Sequence, residues 1–122
     1  MGRRSPTAVG RVGEEVAARF LEDQGYRILR RNLRFRSGEI DLVAEENGIL
    51  VFVEVKTRSG SSHGTAAEAV TPRKQAQLIR LASLYLARIG ADRPCRFDVV
   101  TVEPAGDGGW QCALIRDAFG AR

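Results

Sequence analysis

The sequence predicts an α/β fold, a three-layer α/β/α sandwich around a central mixed sheet. Three observations carry that expectation. Asn47-Gly48 lies between two β-rich runs, the strongest short-range hairpin signal. Residues 7–24 and 72–89 each carry an apolar stripe at helical spacing. The second of these segments separates two strand-like runs, and strand, helix and strand in succession imply a right-handed crossover with parallel pairing. Two helices can then cover the two faces of the sheet.

The elements follow in order α-β-β-β-α-β, with a short terminal strand. The 122 residues suit a single domain, 1–122, preceded by a basic stretch over 1–6 that is expected to be flexible. In the first helix Val9, Val12, Val16, Phe20 and Leu21 form the stripe, and Gly25 marks its stop. Glu14 flanks that stripe and is placed to look towards the sheet, whereas Glu15 points to solvent. Residues 26–33 read as the first strand. A two-residue turn at Asn47-Gly48 makes opposed residues of the next two strands sum to 95, so Val43 faces Phe52, Asp41 faces Glu54 and Glu39 faces Lys56. Ile40, Leu42, Ala44, Ile49, Val51, Val53 and Val55 share the other face. A loop over 58–70 leads to Thr71-Pro72, an N-cap followed by proline at the first helical position. That helix runs to Ile89 and stops at Gly90, with Leu78, Leu81, Ala82, Tyr85, Leu86 and Ile89 inward and Lys74 one turn before Leu78 on the same face. Residues 96–103 form a further strand, and a turn at 105–109 leads to a short last strand over 110–115.

The hairpin also carries the chemistry. Like charges directly opposite on a strand pair are unfavourable, by about 0.2–1 kcal/mol in the ordinary case. A divalent cation between Asp41 and Glu54, with Lys56 beside them, removes that objection and gives a nuclease-type site. Lysine usage points the same way. The chain has seventeen arginines and only two lysines, Lys56 and Lys74, which suggests two positions needing a compact ammonium. Arg27, Arg30, Arg31, Arg34 and Arg36 crowd the ten residues before the acidic hairpin, and planar guanidinium groups suit phosphates. Arg58 extends this cationic set.

Composition narrows the classes. Hydrophobic content of 43% with 28% charged residues is ordinary for a folded globular chain, and no run approaches the length of a membrane span. The basic N-terminus lacks the apolar core of a secretory signal, so cytoplasmic location and no membrane partner are expected. Cys95 and Cys112 have neither the spacing nor the histidine partners of a zinc site, and no disulfide is required. His63 reads as a loop histidine, Asp98 as a structural acid paired with an arginine, and Trp110 and Cys112 as core or edge packing. A net charge of +4 is compatible with a polyanionic partner.

Gly13-Glu14, Gly25-Tyr26, Asn32, Gly38-Glu39-Ile40-Asp41-Leu42, Phe52-Val53-Glu54-Val55-Lys56-Thr57-Arg58, Lys74 and Arg96-Phe97-Asp98-Val99-Val100 together resemble the YraN-type bacterial family of the PD-(D/E)XK nuclease superfamily, similar in fold to archaeal Holliday junction resolvases. The resemblance spans roughly residues 10 to 103 and implies a restriction-endonuclease-like sandwich. It implies Asp41 and Glu54 as ligands of Mg²⁺ or Mn²⁺, with the Val55 carbonyl as a third. Glu14 matches the first-helix acid of the resolvases, and Lys56 would orient the attacking water or stabilise charge on the phosphate. Glu39 and Lys74 are expected as supporting residues. One position departs from the pattern, Ile40 standing where the superfamily has its proline. The implied function is a metal-dependent endonuclease on nucleic acid, DNA ahead of RNA, resolvase-like on structured or branched substrates, with a homodimer as the implied assembly. A non-catalytic nucleic-acid-binding module and a protein-interaction adaptor are the competing readings. The residues alone leave DNA and RNA, and branched and linear substrates, open.

Overall fold

Asn47 and Gly48 both adopt left-handed backbone angles, φ 52° and 80°, the geometry a two-residue hairpin turn requires and the reason the second position is glycine. In the computed structural model, which describes residues 8–58 and 70–120, this turn joins β2 (Gly38–Glu46) to β3 (Ile49–Thr57). Val43 pairs with Phe52 and Leu42 with Val53, the register expected from the sequence. Around this hairpin lie α1 (Ala8–Asp23), β1 (Arg27–Phe35), α2 (Pro72–Ile89), β4 (Cys95–Pro104) and β5 (Trp110–Phe119). The expectations for residues 1–6, for most of the 58–70 loop and for His63 lie outside the described residues.

The sheet has five strands in sequential order, β1 to β5. Only β3 and β4 run parallel, joined by the α2 crossover; the other neighbours are antiparallel. α2 begins as its caps dictate: Thr71 Oγ1 accepts the Lys74 N–H and Pro72 opens the helix. The last strand is longer than expected, continuing to Phe119 past a bulge opposite Phe97 and Val99. Asp117 sits there at φ 53°, and the strand end is secured by Phe119 stacking on Phe97 at 5.0 Å.

Each face of the sheet has its own core. Against α2 lie Val43, Phe52, Phe97, Val99, Leu78, Leu81 and Tyr85. Against α1 lie Leu42, Ala44, Val51, Val53, Val100 and Val102 with Ala17, Ala18 and Leu21. Leu21, Val16 and Phe20 of the expected stripe pack here, joined by Ala17 and Ala18, while Val12 is left 43% exposed. At Gly13 α1 approaches β3 closely. A Cβ on Gly13 would stand 2.2 Å from Thr57 Oγ1, so any larger residue there would have to displace the Thr57 side chain or α1 itself.

Ile40 corrects the expected face assignment. Strict alternation groups Ile40 with Leu42, yet Ile40 packs on the α2 side and Leu42 on the α1 side. The break falls at Asp41 and its opposite number Asn32. Arg31 pairs with Leu42 and Leu33 with Ile40, while the two residues between drop out of the pairing and Asn32 takes φ 50°. A left-handed residue interrupts the period-two alternation, and the strand rolls over.

Candidate active site

The roll at Asp41 coincides with the end of the β2–β3 ladder. The last paired residues are Leu42 and Val53. Beyond them β2 continues with β1 as far as Phe35↔Gly38, and β3 continues with β4 as far as Thr57↔Val102. Where the strands part, the Val55 N–H is left without a β2 carbonyl and donates instead to Asp41 Oδ2 at 2.9 Å. A strand fork is thus held open by a carboxylate.

Close packing at Gly13 delivers the neighbouring residue, Glu14, to the same place. Carboxylate oxygens of Glu14, Glu39 and Asp41 lie within 4.8 Å of one another, all half-buried. Burial and the charges of Asp41 and Glu39 push Glu14 up to about 7, although the Asn32 amide and the Arg34 guanidinium work against the shift. Asp41 is raised too, by burial first, against the Val55 N–H that favours its charged form. Glu54 is 7% exposed and is raised to about 8 by burial and then by Asp41. Among the described residues its Oε1 has no hydrogen-bond partner, and neither has the buried Oδ1 of Asn32.

This arrangement modifies the expected site. Glu39, expected in support, is one of the three clustered acids, while Glu54 joins them through Asp41. Val55 meets Asp41 through its N–H, whereas the expected ligand was its carbonyl. Asn32 carries a role that the sequence did not suggest, its amide favouring the charged form of Glu14. A non-glycine residue with left-handed backbone next to an acid was the available signal, but it is invisible to periodicity. Three convergent carboxylates and two orphaned buried oxygens form an all-oxygen donor set, which fits a hard divalent cation.

The chain's two lysines both flank Glu54. Lys74 Nζ stands 4.0 Å from Glu54 Oε2, and Lys56 also pulls the Glu54 carboxyl towards its charged form. Glu54 nevertheless stays raised, so desolvation outweighs two ammonium groups.

The arginines behave differently. Arg27 is held by Glu45, Arg31 by Glu15 at 2.6 Å, Arg34 by Glu39 at 3.5 Å and Arg58 by Glu103 at 3.9 Å. Glu15, expected to be solvated, is 48% exposed and bridges Arg19 and Arg31. Arg30 and Arg36 have no ion-pair partner among the described residues.

At the turn end of the sheet a second acidic centre has the structural character expected of Asp98. Asp98 is fully buried and accepts from Tyr26 Oη (2.7 Å), Arg96 Nε (3.0 Å) and the Asp117 N–H (2.9 Å). Glu46 completes it by binding both Arg96 and Arg116, whose guanidinium groups lie over the Tyr26 ring. Both cysteines are free. Trp110, on the edge strand, is 41% exposed.

Among the described residues no helix is long and apolar enough to cross a membrane. A model of the uncharacterised protein family UPF0102 matches residues 13–102. A UPF0102 protein of Symbiobacterium thermophilum is 63% identical over 114 residues, covering 93% of this chain and 97% of that protein. One from Frankia casuarinae is 50% identical over 117 residues, 95% of this chain and 99% of its own length. One from Chlorobaculum parvum is 52% identical over 101 residues, 80% of this chain and 77% of its own. Among solved structures, that of Pyrococcus furiosus SfsA in complex with Ca²⁺ aligns with a TM-score of 0.47 and 14% identity, over 84% of this chain and 62% of SfsA.

Proposed function

From the premise that this chain belongs to UPF0102, the YraN-type family, we propose that it is a metal-dependent endonuclease acting on nucleic acid. The observation that carries this reading is Glu54 Oε1, a buried carboxylate oxygen with no partner among the described residues, beside an Asp41 that already joins two further acids. The chain has seventeen arginines, yet the ion pairs of these four acids among the described residues are Arg34 with Glu39 at 3.5 Å and Lys74 with Glu54 at 4.0 Å. Leaving a buried polar atom unpaired costs about 1–3 kcal/mol, and more when it is charged, so a missing partner is the simplest explanation.

Asp41 and Glu54 would hold Mg²⁺ or Mn²⁺, assisted by Glu14, Glu39 and the Val55 carbonyl. When bound, the ion supplies charge stabilisation at a phosphate oxygen and a more acidic water. The chain's own residues do the rest. Asp41 is fixed by the Val55 N–H, so its free oxygen has one direction to face. The Asn32 amide favours the charged form of Glu14, and Lys74 holds Glu54 from the α2 side. Lys56, beside Glu54, supplies a compact ammonium to orient the attacking water or to meet the charge gathering on the scissile phosphate. Structured or branched DNA is the substrate to try first, with the cytoplasm as the compartment and a homodimer as the assembly.

The test is a panel of labelled branched, duplex and single-stranded DNA and RNA with Mg²⁺, Mn²⁺ or EDTA. Cleavage that needs the metal and disappears in Asp41→Asn is the expected result. If no substrate is cut under any metal while nucleic acid still binds, the non-catalytic binding module replaces the enzyme.

A further inference from the structure

A cavity of about 370 Å³ opens on the first turns of α2, lined by Thr71, Arg73, Lys74, Gln77 and Arg80. Three of these five residues are cations and none is an acid. Among the described residues Arg73 and Arg80 have no ion-pair partner, whereas Arg27, Arg31, Arg34 and Arg58 each hold a carboxylate. Cations without a carboxylate partner among the described residues therefore line this recess, as they also occur at Arg30 and Arg36 on and after β1. We propose that this cavity seats a backbone phosphodiester of the bound nucleic acid, the one neighbouring the phosphate that faces the acid cluster. This deepens the nuclease reading and rests on its choice of nucleic acid as partner.

The helix end itself is not the basis, since Thr71 Oγ1 already takes the Lys74 N–H. The walls are built. Gln77 Nε2 donates to the Ser37 carbonyl at 2.8 Å and lies where a Cβ on Gly38 would come within 2.7 Å, so α2 is locked to the β1–β2 turn. Lys74 belongs to both places, lining the cavity and standing 4.0 Å from Glu54 Oε2. Glu54 in turn is buried and keeps an unpartnered oxygen. A strand passing the acids thus meets a cationic recess immediately on the Glu54 side. Two guanidinium groups offer the forked donors that suit phosphate oxygens, and Gln77 holds the recess open between them.

Fluorescence anisotropy with a labelled oligonucleotide in EDTA separates binding from turnover. Wild type, Arg73→Gln/Arg80→Gln and Arg27→Gln/Arg31→Gln are compared across salt, after melting curves confirm that each is folded. For every phosphate that is no longer neutralised, the slope of log affinity against log salt should flatten by about 0.7–0.9. The α2 pair should flatten it so and weaken binding at least about tenfold at low salt, while the β1 pair leaves the slope nearly unchanged. The opposite pattern, an unchanged slope in the α2 pair, or no affinity in wild type at any salt, overturns the proposal. Should the double variant fail to fold, oligonucleotide-induced NMR shifts at the Arg73, Gln77 and Arg80 amides decide instead, and their absence is equally fatal. The two readings separate cleanly. Binding that weakens in the α2 pair with no cleavage by wild type sinks the enzyme and keeps the seat, and cleavage by wild type with an unmoved slope does the reverse.

Discussion

Glu54 and Asp98 are buried carboxylates on adjacent strands of the one parallel pair, Asp98 opposite Val53 and Glu54 opposite Val99, and the chain treats them in opposite ways. Asp98 is saturated: a phenol, a guanidinium and a backbone N–H meet its two oxygens. Glu54 keeps one oxygen without a partner and shares its surroundings with three more acids. Among the described residues the cations beside it are two lysines, one at 4.0 Å, whereas every cation around Asp98 is an arginine. Forked guanidinium donors close the structural centre, and compact ammonium groups leave the other one open. The difference separates an acid placed to hold the fold from an acid placed to receive something.

Removing the carboxylate at each position should break this comparison most visibly. Asp98→Ala removes the buried acceptor shared by Arg96, Tyr26 Oη and the Asp117 N–H and should cost about 3–5 kcal/mol, lowering the melting temperature by about 10 °C or more. Urea unfolding measures it, and a loss below about 1 kcal/mol would contradict the structural role.

Glu54→Gln should act in the other direction in metal-free protein. Glu54 holds its proton to about pH 8 when folded, against an ordinary value of 4.5. The folded state therefore binds more protons between those values, so its contribution is fully present below about pH 4.5 and is lost as pH rises towards 8. Metal-free wild type should lose stability across that window, and Glu54→Gln should flatten the curve and gain about 2 kcal/mol at its alkaline end. Mn²⁺ should raise the wild-type melting temperature at about pH 8 and leave Asp41→Ala/Glu54→Ala unmoved. Equal metal responses in the two proteins would dismiss the site.

Much of this was legible beforehand. The Asn-Gly turn set the register, so the proximity of Asp41 and Glu54 followed from counting, and the caps of α2 placed Lys74. The scarcity of lysine marked both residues that now flank Glu54. What escaped was non-periodic. The left-handed Asn32 rolls β1 and β2 over, sends Ile40 to the α2 core and brings Glu39 in with Glu14, and no alternation rule encodes that. Nor does sequence order show that Tyr26, Glu46 and Arg116 converge on Asp98 and Arg96, since such ion pairs depend on strands meeting across the finished sheet.

The smallest expected effect tests the choice of cation. Lys56→Arg keeps the charge but exchanges an ammonium for a broad planar fork, and it should slow cleavage about tenfold, roughly 1.4 kcal/mol, with binding little changed. An unaltered rate would show that Lys56 supplies charge alone.

The parallel pairing of β3 with β4 also sets an order of assembly. β1, β2 and β3 are joined by tight turns, whereas Leu50 meets Cys95 only after the chain has returned across the whole of α2. Loop closure favours the local pairings first. Asn32, Glu39, Asp41 and Glu54 all belong to that local unit, with Glu14 on the preceding α1, so the strand acids gather while the outer edge of β3 is still unpaired. Pulse-labelled hydrogen exchange should find the β2–β3 amides protected before those of β4; simultaneous protection would argue against this order. The late arrival of β4 then places Val99 beside Glu54, making desolvation of the acid a closing event in folding rather than an early one.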